Sequence, residues 1–332
     1  MKLSILDQSP IYEGETPFDA FQRTIQLAQL AEGWGYHRFW VSEHHDSQEV
    51  AGSSPEVLIS HLLAKTKHIR IGSGGVMLQH YSPYKVAENF NVLANLGPNR
   101  IDLGIGKAPG GLPHSTNALQ QNQKQPSLEN KLRELKHFIH NGFETTHPLY
   151  GVKASPNVNN PAELFLLGAS ESSAKLAASL QIPFVFAKFI NDSANVLEDA
   201  ISIYRQTYSA PTSYLILAVS VIVADTEVQA QQLASHSHIY RVQLESGTSV
   251  TLGTKEKAHA FGQQSNEAYT VTEEKCVVMY GTKKTIREKL LTLQKQYQID
   301  EFILLTHTRH FLDKVRSYEL LRDAFNEQAL LS

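Results

Sequence analysis

The chain has 332 residues, a formal net charge of −3, 42% hydrophobic and 19% charged side chains, and 15 histidines. Such a balance fits a water-soluble protein with a sizeable core, and the missing basic surplus argues against nucleic acid or an acidic membrane surface as partner. The single cysteine, Cys276, excludes an internal disulfide and a cysteine-based zinc centre, and is compatible with a cytoplasmic location.

Asp7 interrupts the first apolar stretch too early for a secretory signal. The longest apolar run, 215–224, is about half of the ~20 residues needed to span a bilayer. No membrane segment is expected.

In chain order, short apolar runs predict strands over 3–6, 39–41, 69–72, 101–105, 164–167, 184–187, 215–223 and 302–305. Helical periodicity falls between them. Thr16 is a good N-cap, Pro17 suits the first helical position, and Phe18, Phe21, Ile25 and Ala28 share a face that ends at Gly33 and Gly35. Further apolar stripes are Val86, Phe90 and Leu93; Leu128, Leu132 and Leu135 behind Ser127; and Ile286, Leu290 and Leu293. A last helix is expected over about 313–329. Eight strands alternating with helices predict an α/β protein, a (β/α)8 TIM barrel with loop insertions, over a doubly wound sheet of five or six strands. With no linker composition to divide it, 1–332 reads as one domain. Two stretches read as insertions: 106–126, and 246–274, which is polar with little periodicity and would suit a mobile lid.

In a barrel, chemistry gathers where strands end at their carboxyl termini. Ser42-Glu43-His44-His45 follows the second strand. An imidazole there can move protons near neutral pH with Glu43 or a backbone carbonyl fixing its tautomer, or it can be a hydrogen-bonded structural residue. Alternation along extended chain lets one of His44 and His45 face a pocket. The spacing of Glu43, His44 and Asp46 does not form a familiar metal site, so no metal is expected. After the fifth strand, Gly168-Ala169-Ser170-Glu171-Ser172-Ser173 reads as a tight turn into a helix. Ser170 and Ser173 hydroxyls with free N–H groups and the helix dipole suit an anion such as a cofactor phosphate, or plain N-capping. Gly104-Ile105-Gly106-Lys107 ends the fourth strand, where Lys107 can reach a phosphate; Pro109 spoils a dinucleotide-loop reading. The glycines of Gly72-Ser73-Gly74-Gly75 allow backbone to approach a flat ligand or serve a turn.

Glu43-His44-His45, Gly74-Gly75 with Ser82-Pro83-Tyr84-Lys85, Arg100 to Gly106, the Gly168–Ala174 turn and Asp300-Glu301-Phe302-Ile303-Leu304 stand in an order that resembles the bacterial luciferase-like flavin monooxygenases. The resemblance implies reduced FMN in the barrel mouth, or the deazaflavin F420 as in some relatives. It implies His44 as catalytic histidine beside Glu43, and a non-proline cis peptide at Gly74-Gly75 against the flavin ring. It places the phosphate at Lys107, Ser170 and Ser173, with Gly106, Gly168 and Ala169 in the same loops. Tyr12, Trp40, His80, Tyr81 and His307 are expected to line a partly apolar substrate pocket. Bacterial luciferase has arginine where Lys107 stands and a reactive cysteine where Gly106 stands, which argues against light emission. The expected activity is a monooxygenase reaction with O2 on a small organic substrate, in a homodimer supplied by a separate flavin reductase or by NAD(P)H directly. Hydride transfer with F420 and flavin binding without catalysis are the alternatives.

Overall fold

The computed structural model describes residues 1–140, 142–209, 213–235 and 238–326. Eight strands close a parallel barrel: β1 (Lys2–Asp7), β2 (Arg38–Val41), β3 (Arg70–Val76), β4 (Ile101–Ile105), β5 (Glu163–Gly168), β6 (Phe184–Ala187), β7 (Leu215–Val223) and β12 (Glu301–Leu305). Each pairs in parallel with the next, and β12 pairs with both β7 and β1, so no edge remains. All eight predicted strands are present.

Around the barrel run α1 (Pro17–Gly33), α2 (Pro55–Lys65), α3 (Pro83–Leu96), α5 (Leu128–His140), α6 (Glu171–Ser179), α7 (Ala194–Thr207), α10 (Lys283–Tyr297) and α11 (Phe311–Asn326). Local chemistry sets their ends. Thr16 caps α1 by accepting the Asp19 N–H while the Asp19 carboxylate accepts the Thr16 N–H at 2.9 Å, and Gly35 beyond its end has φ +76°. The predicted stripes of α3, α5 and α10 face the strands: Val86, Phe90, Leu132, Leu135, Ile286 and Leu290 are buried. The last helix begins at Phe311; residues 327–329 of the expectation lie outside the described residues.

Two apolar layers result. One lies between strands and helices. The other fills the barrel with Leu6, Trp40, Phe165, Val185, Ile216 and Ile303. Below it, at the amino ends of the strands, buried Arg38 pairs with Asp102 and Glu301.

The insertions carry more order than their composition suggests. Stretch 106–126 contains α4 (Pro113–Gln120). Between β7 and β12 lie α8 (Glu227–Ala234), β8 (His238–Leu244), β9 (Ser249–Leu252), α9 (Lys255–Gln264), β10 (Tyr269–Lys275) and β11 (Met279–Gly281). β8 pairs antiparallel with β9 and β10, and β11 adds to β7. This corrects the expectation of a largely aperiodic loop over 246–274. The stretch forms a small sheet backed by α9, because Val242, Leu244, Ala258 and Phe261 bury one face together with Leu112 of the β4–α4 loop. Among the described residues no helix is long and apolar enough to cross a membrane.

Candidate active site

Six consecutive strand ends, β12, β1, β2, β3, β4 and β5, carry nearly all the candidate residues along one arc of the barrel's carboxyl rim. β2 delivers His44. Its backbone N–H donates to Gly52 O at 2.8 Å, and its Nδ1 is hydrogen-bonded with Ser42 Oγ at 3.1 Å. Nε2 makes no hydrogen bond among the described residues and is the nitrogen available to a reactant. Burial, with the charges of Lys257 and His45, pushes the His44 pKa down to about 4, so the ring is neutral at pH 7.

His307, just after β12, behaves alike. Solvent reaches its side chain, yet burial, with Lys314 and His44 nearby, holds its pKa down at about 4. The His44 ring contributes to that shift, so the two histidines lie near one another at the carboxyl rim. Tyr12, after β1, is half-buried with its hydroxyl shielded from solvent and the Thr308 side chain as a polar neighbour. Beneath them the buried Asp7 carboxylate accepts hydrogen bonds from Lys314 and, at 2.6 Å, from Thr24 Oγ1. Burial alone would raise the Asp7 pKa; the Lys314 ammonium overrides it and keeps the carboxyl ionised.

Glu43 is fully buried and fully engaged. It accepts the Met77 N–H at 3.0 Å, the Tyr81 hydroxyl at 2.8 Å and His45 Nε2–H at 2.7 Å. It therefore ties the β2 loop to the turn after β3. His80 uses both ring nitrogens, Nε2–H donating to Pro109 O at 2.7 Å and Nδ1 accepting from Gln120 Nε2 at 3.0 Å. Its expected place in the pocket lining is corrected: it is a buried brace between the β3 and β4 loops. Trp40 is corrected likewise. It is fully buried inside the barrel, its ring 5.1 Å from that of Phe165 and its Nε1–H donating to Asp102 at 2.9 Å.

The next three strand ends form a cradle. The Gly74-Gly75 peptide is cis. A Cβ on Gly75 would lie 2.7 Å from Gly106 N and 2.8 Å from Gly104 O, so only glycine lets β3 lie this close to β4. Lys107, one residue past Gly106, is exposed and makes no hydrogen bond or ion pair among the described residues. At the end of β5, a Cβ on Gly168 would lie 2.3 Å from Ser173 Cβ, so glycine is what lets the first turn of α6 fold back on the strand. Ser170 caps α6 by accepting the Ser173 N–H, and its Oγ lies 3.0 Å from Ser172 Oγ and 3.1 Å from Ser173 Oγ. Ala169 O accepts from Asn191 Nδ2, which steadies the turn. Three hydroxyls, unpaired first-turn amides and a free lysine form a donor set that fits a phosphate.

Sequence reasoning missed the residues that hold these loops. Lys257 of α9 donates to Ser47 Oγ at 2.9 Å and pairs with Glu49, reaching from the small sheet to the loop that carries His44. The Asp7–Lys314 pair was missed too, as was the role of Ser42. No local pattern marks these contacts, since their partners are far apart in the chain.

A closed parallel barrel with two neutral histidines and a donor-rich turn at its carboxyl rim has the layout of a (β/α)8 enzyme. The luciferase-like monooxygenase family model matches residues 1–297, and the chain belongs to that family. It is 45% identical over 331 residues to N-acetyl-S-alkylcysteine monooxygenase of Bacillus subtilis strain 168, covering 98% of each chain. Among solved structures, apo-MsnO8 shares 33% identity and a TM-score of 0.79 over 98% of both chains. The oxygenating constituent of 3,6-diketocamphane monooxygenase from Pseudomonas putida, solved in complex with FMN, shares the fold at 17% identity, with a TM-score of 0.71 over 98% of this chain and 97% of that one. The chain is thus a monooxygenase-class enzyme.

Proposed function

We propose that this protein is an FMN-dependent monooxygenase that uses reduced flavin and O2 on a small thioether of the N-acetyl-S-alkylcysteine type. The observation that carries the reading is the arc itself: a neutral histidine with a free Nε2, a close-packed diglycine and a serine-capped helix on neighbouring strand ends. The substrate class rests on the relative that is 45% identical over 98% of both chains.

FMN supplies the electrons and the activation of oxygen when bound. Ser170 and Ser173 hydroxyls, the first amides of α6 and Lys107 would hold its phosphate. Gly74 and Gly75, with no side chains, would leave the ring's face clear. His44, oriented through Nδ1 by Ser42, accepts or returns a proton at Nε2. Glu43 positions: with both carboxylate oxygens accepting, from Met77, Tyr81 and His45, it fixes the loop that His44 stands on. His307 and Tyr12 face the substrate. The two rim imidazoles stay uncharged at neutral pH, which suits a partly apolar thioether.

The enzyme is proposed to act in the cytoplasm as a homodimer supplied by a separate reductase. α2 and α3 leave Val57, Val92 and Leu96 exposed, apolar area of the kind a subunit contact covers. The test is oxygen consumption with reduced FMN and N-acetyl-S-methylcysteine, run beside reduced F420. Substrate-dependent uptake with FMN supports the proposal. Turnover with F420 alone, or flavin binding with no turnover across a thioether panel, overturns it.

A further inference from the structure

The opposite face of the barrel holds a cavity of about 500 Å³ between the amino ends of the strands, the carboxyl-terminal end of α5 and the turn before β6. That size suits a small organic molecule. Its chemistry is uneven. Asp102, Glu163 and Glu301 are engaged by arginines: Arg38 lies 2.9 Å from Asp102 and 3.1 Å from Glu301, and Arg70 lies 3.0 Å from Glu163. The other cations of the wall meet neutral groups. Lys2 Nζ donates to Tyr214 Oη at 3.2 Å, over a ring whose centroid is 5.1 Å away. Lys136 Nζ donates to the Leu180 carbonyl. His37 Nε2 is shielded from solvent with no hydrogen bond, 4.0 Å from Glu301, and His140 stands at the rim. Neither lysine has a carboxylate within ion-pair distance among the described residues. The lining also includes Pro183 and the nearly buried Phe165 and Ile182.

We propose that this amino-terminal face is a second binding site, separate from the active-site rim, for a small organic anion with a flat apolar body. The acid group meets Lys2 and Lys136, with His140 as a further donor at the rim, and the body lies along the apolar part of the lining at Pro183. Burial, with Arg133 nearby, lowers the pKa of Lys136, a cost that a bound anion offsets. The two ends of the barrel are also connected. Phe165 lines the cavity and packs on Trp40, and a Cβ on Gly74 would lie 3.0 Å from the Trp40 ring, so one indole lies between a cavity-lining ring and the diglycine.

The test is calorimetric titration of the full-length protein with 8-anilinonaphthalene-1-sulfonate, followed by competition with benzoate and, at equal ionic strength, sodium chloride. One equivalent is expected to bind and to be displaced by benzoate but not by chloride. Lys2→Gln with Lys136→Met should weaken binding at least tenfold, and Ile182→Trp should block it by filling the space. Circular dichroism should show all variants folded. No saturable uptake, equal displacement by chloride, or undiminished binding in both folded variants would overturn the site. Loss of naphthalenesulfonate binding on adding FMN alone, with the floor variants unchanged, would place the dye at the rim and also overturn it.

Discussion

At the level of single residues, the telling contrast is between His44 and Glu43, neighbours in the chain with different roles. His44 keeps one ring nitrogen without a protein partner; Glu43 keeps none of its carboxylate oxygens free. A proton acceptor needs a free lone pair, and of these two residues His44 offers one at Nε2. With its pKa pushed down to about 4, His44 is neutral and able to accept a proton across the neutral range. The acid limb of the pH–rate profile is therefore expected near pH 4, well below the ordinary histidine range. His44→Gln should reduce turnover by roughly 10²–10⁴ while FMN affinity is kept. Unchanged turnover in that variant would remove His44 from the chemistry.

Among the elements, α9 matters most for the site although it lies outside the barrel proper. Its Lys257 reaches Ser47 and Glu49 on the His44 loop. Glu49 is 47% exposed, so the pair itself contributes no more than about 1 kcal/mol to stability. Its larger effect is electrostatic, because the Lys257 charge helps hold His44 neutral. Lys257→Met should leave the melting temperature nearly unchanged and move the acid limb of the pH profile upward. An unmoved limb would show that α9 has no electrostatic hold on the centre.

For the molecule as a whole, closure of the barrel brings the two ends of the chain together. Asp7 of β1 and Lys314 of α11 meet 307 positions apart, both almost fully buried. Lys314→Met strands a buried carboxylate and should cost about 3–5 kcal/mol in urea unfolding, much of it recovered by Asp7→Asn in the same chain. Global stability should also depend on pH. The folded pKa of His44 lies below the unfolded one, so the unfolded chain binds more protons between about pH 6.5 and 4. Stability is complete above that window and falls as pH drops through it, by up to about 3 kcal/mol for His44. Asp7, held below its ordinary carboxylate value, adds its loss only at more acid pH. Unfolding of wild type and His44→Gln at pH 7 and pH 5 checks the first term: both lose the His307 contribution over this range, and the wild type should lose more, by the His44 share.

The eight barrel strands were legible because each is a short, mostly apolar run, the pattern of strands covered on both faces. The turn at Gly168 and the capping serines were legible because turn and cap chemistry is local. The same burial on both faces hid the orientation of Trp40: in β2 every residue is buried, so no alternation separates the barrel interior from its outside. The small sheet was hidden for the opposite reason, as the strands β9 and β10 are half-exposed and polar and gain their burial only by packing on one another and on Leu112. Composition and local pattern thus determined the barrel and the kinds of residue at its rim. Closure of the barrel decided that six of those strand ends form one arc, that Glu43 is engaged while His44 keeps Nε2 open, and that Lys257 reaches the His44 loop and Lys314 reaches Asp7. Those relations depend on contacts between residues tens to hundreds of positions apart, which exist only once the sheet has closed.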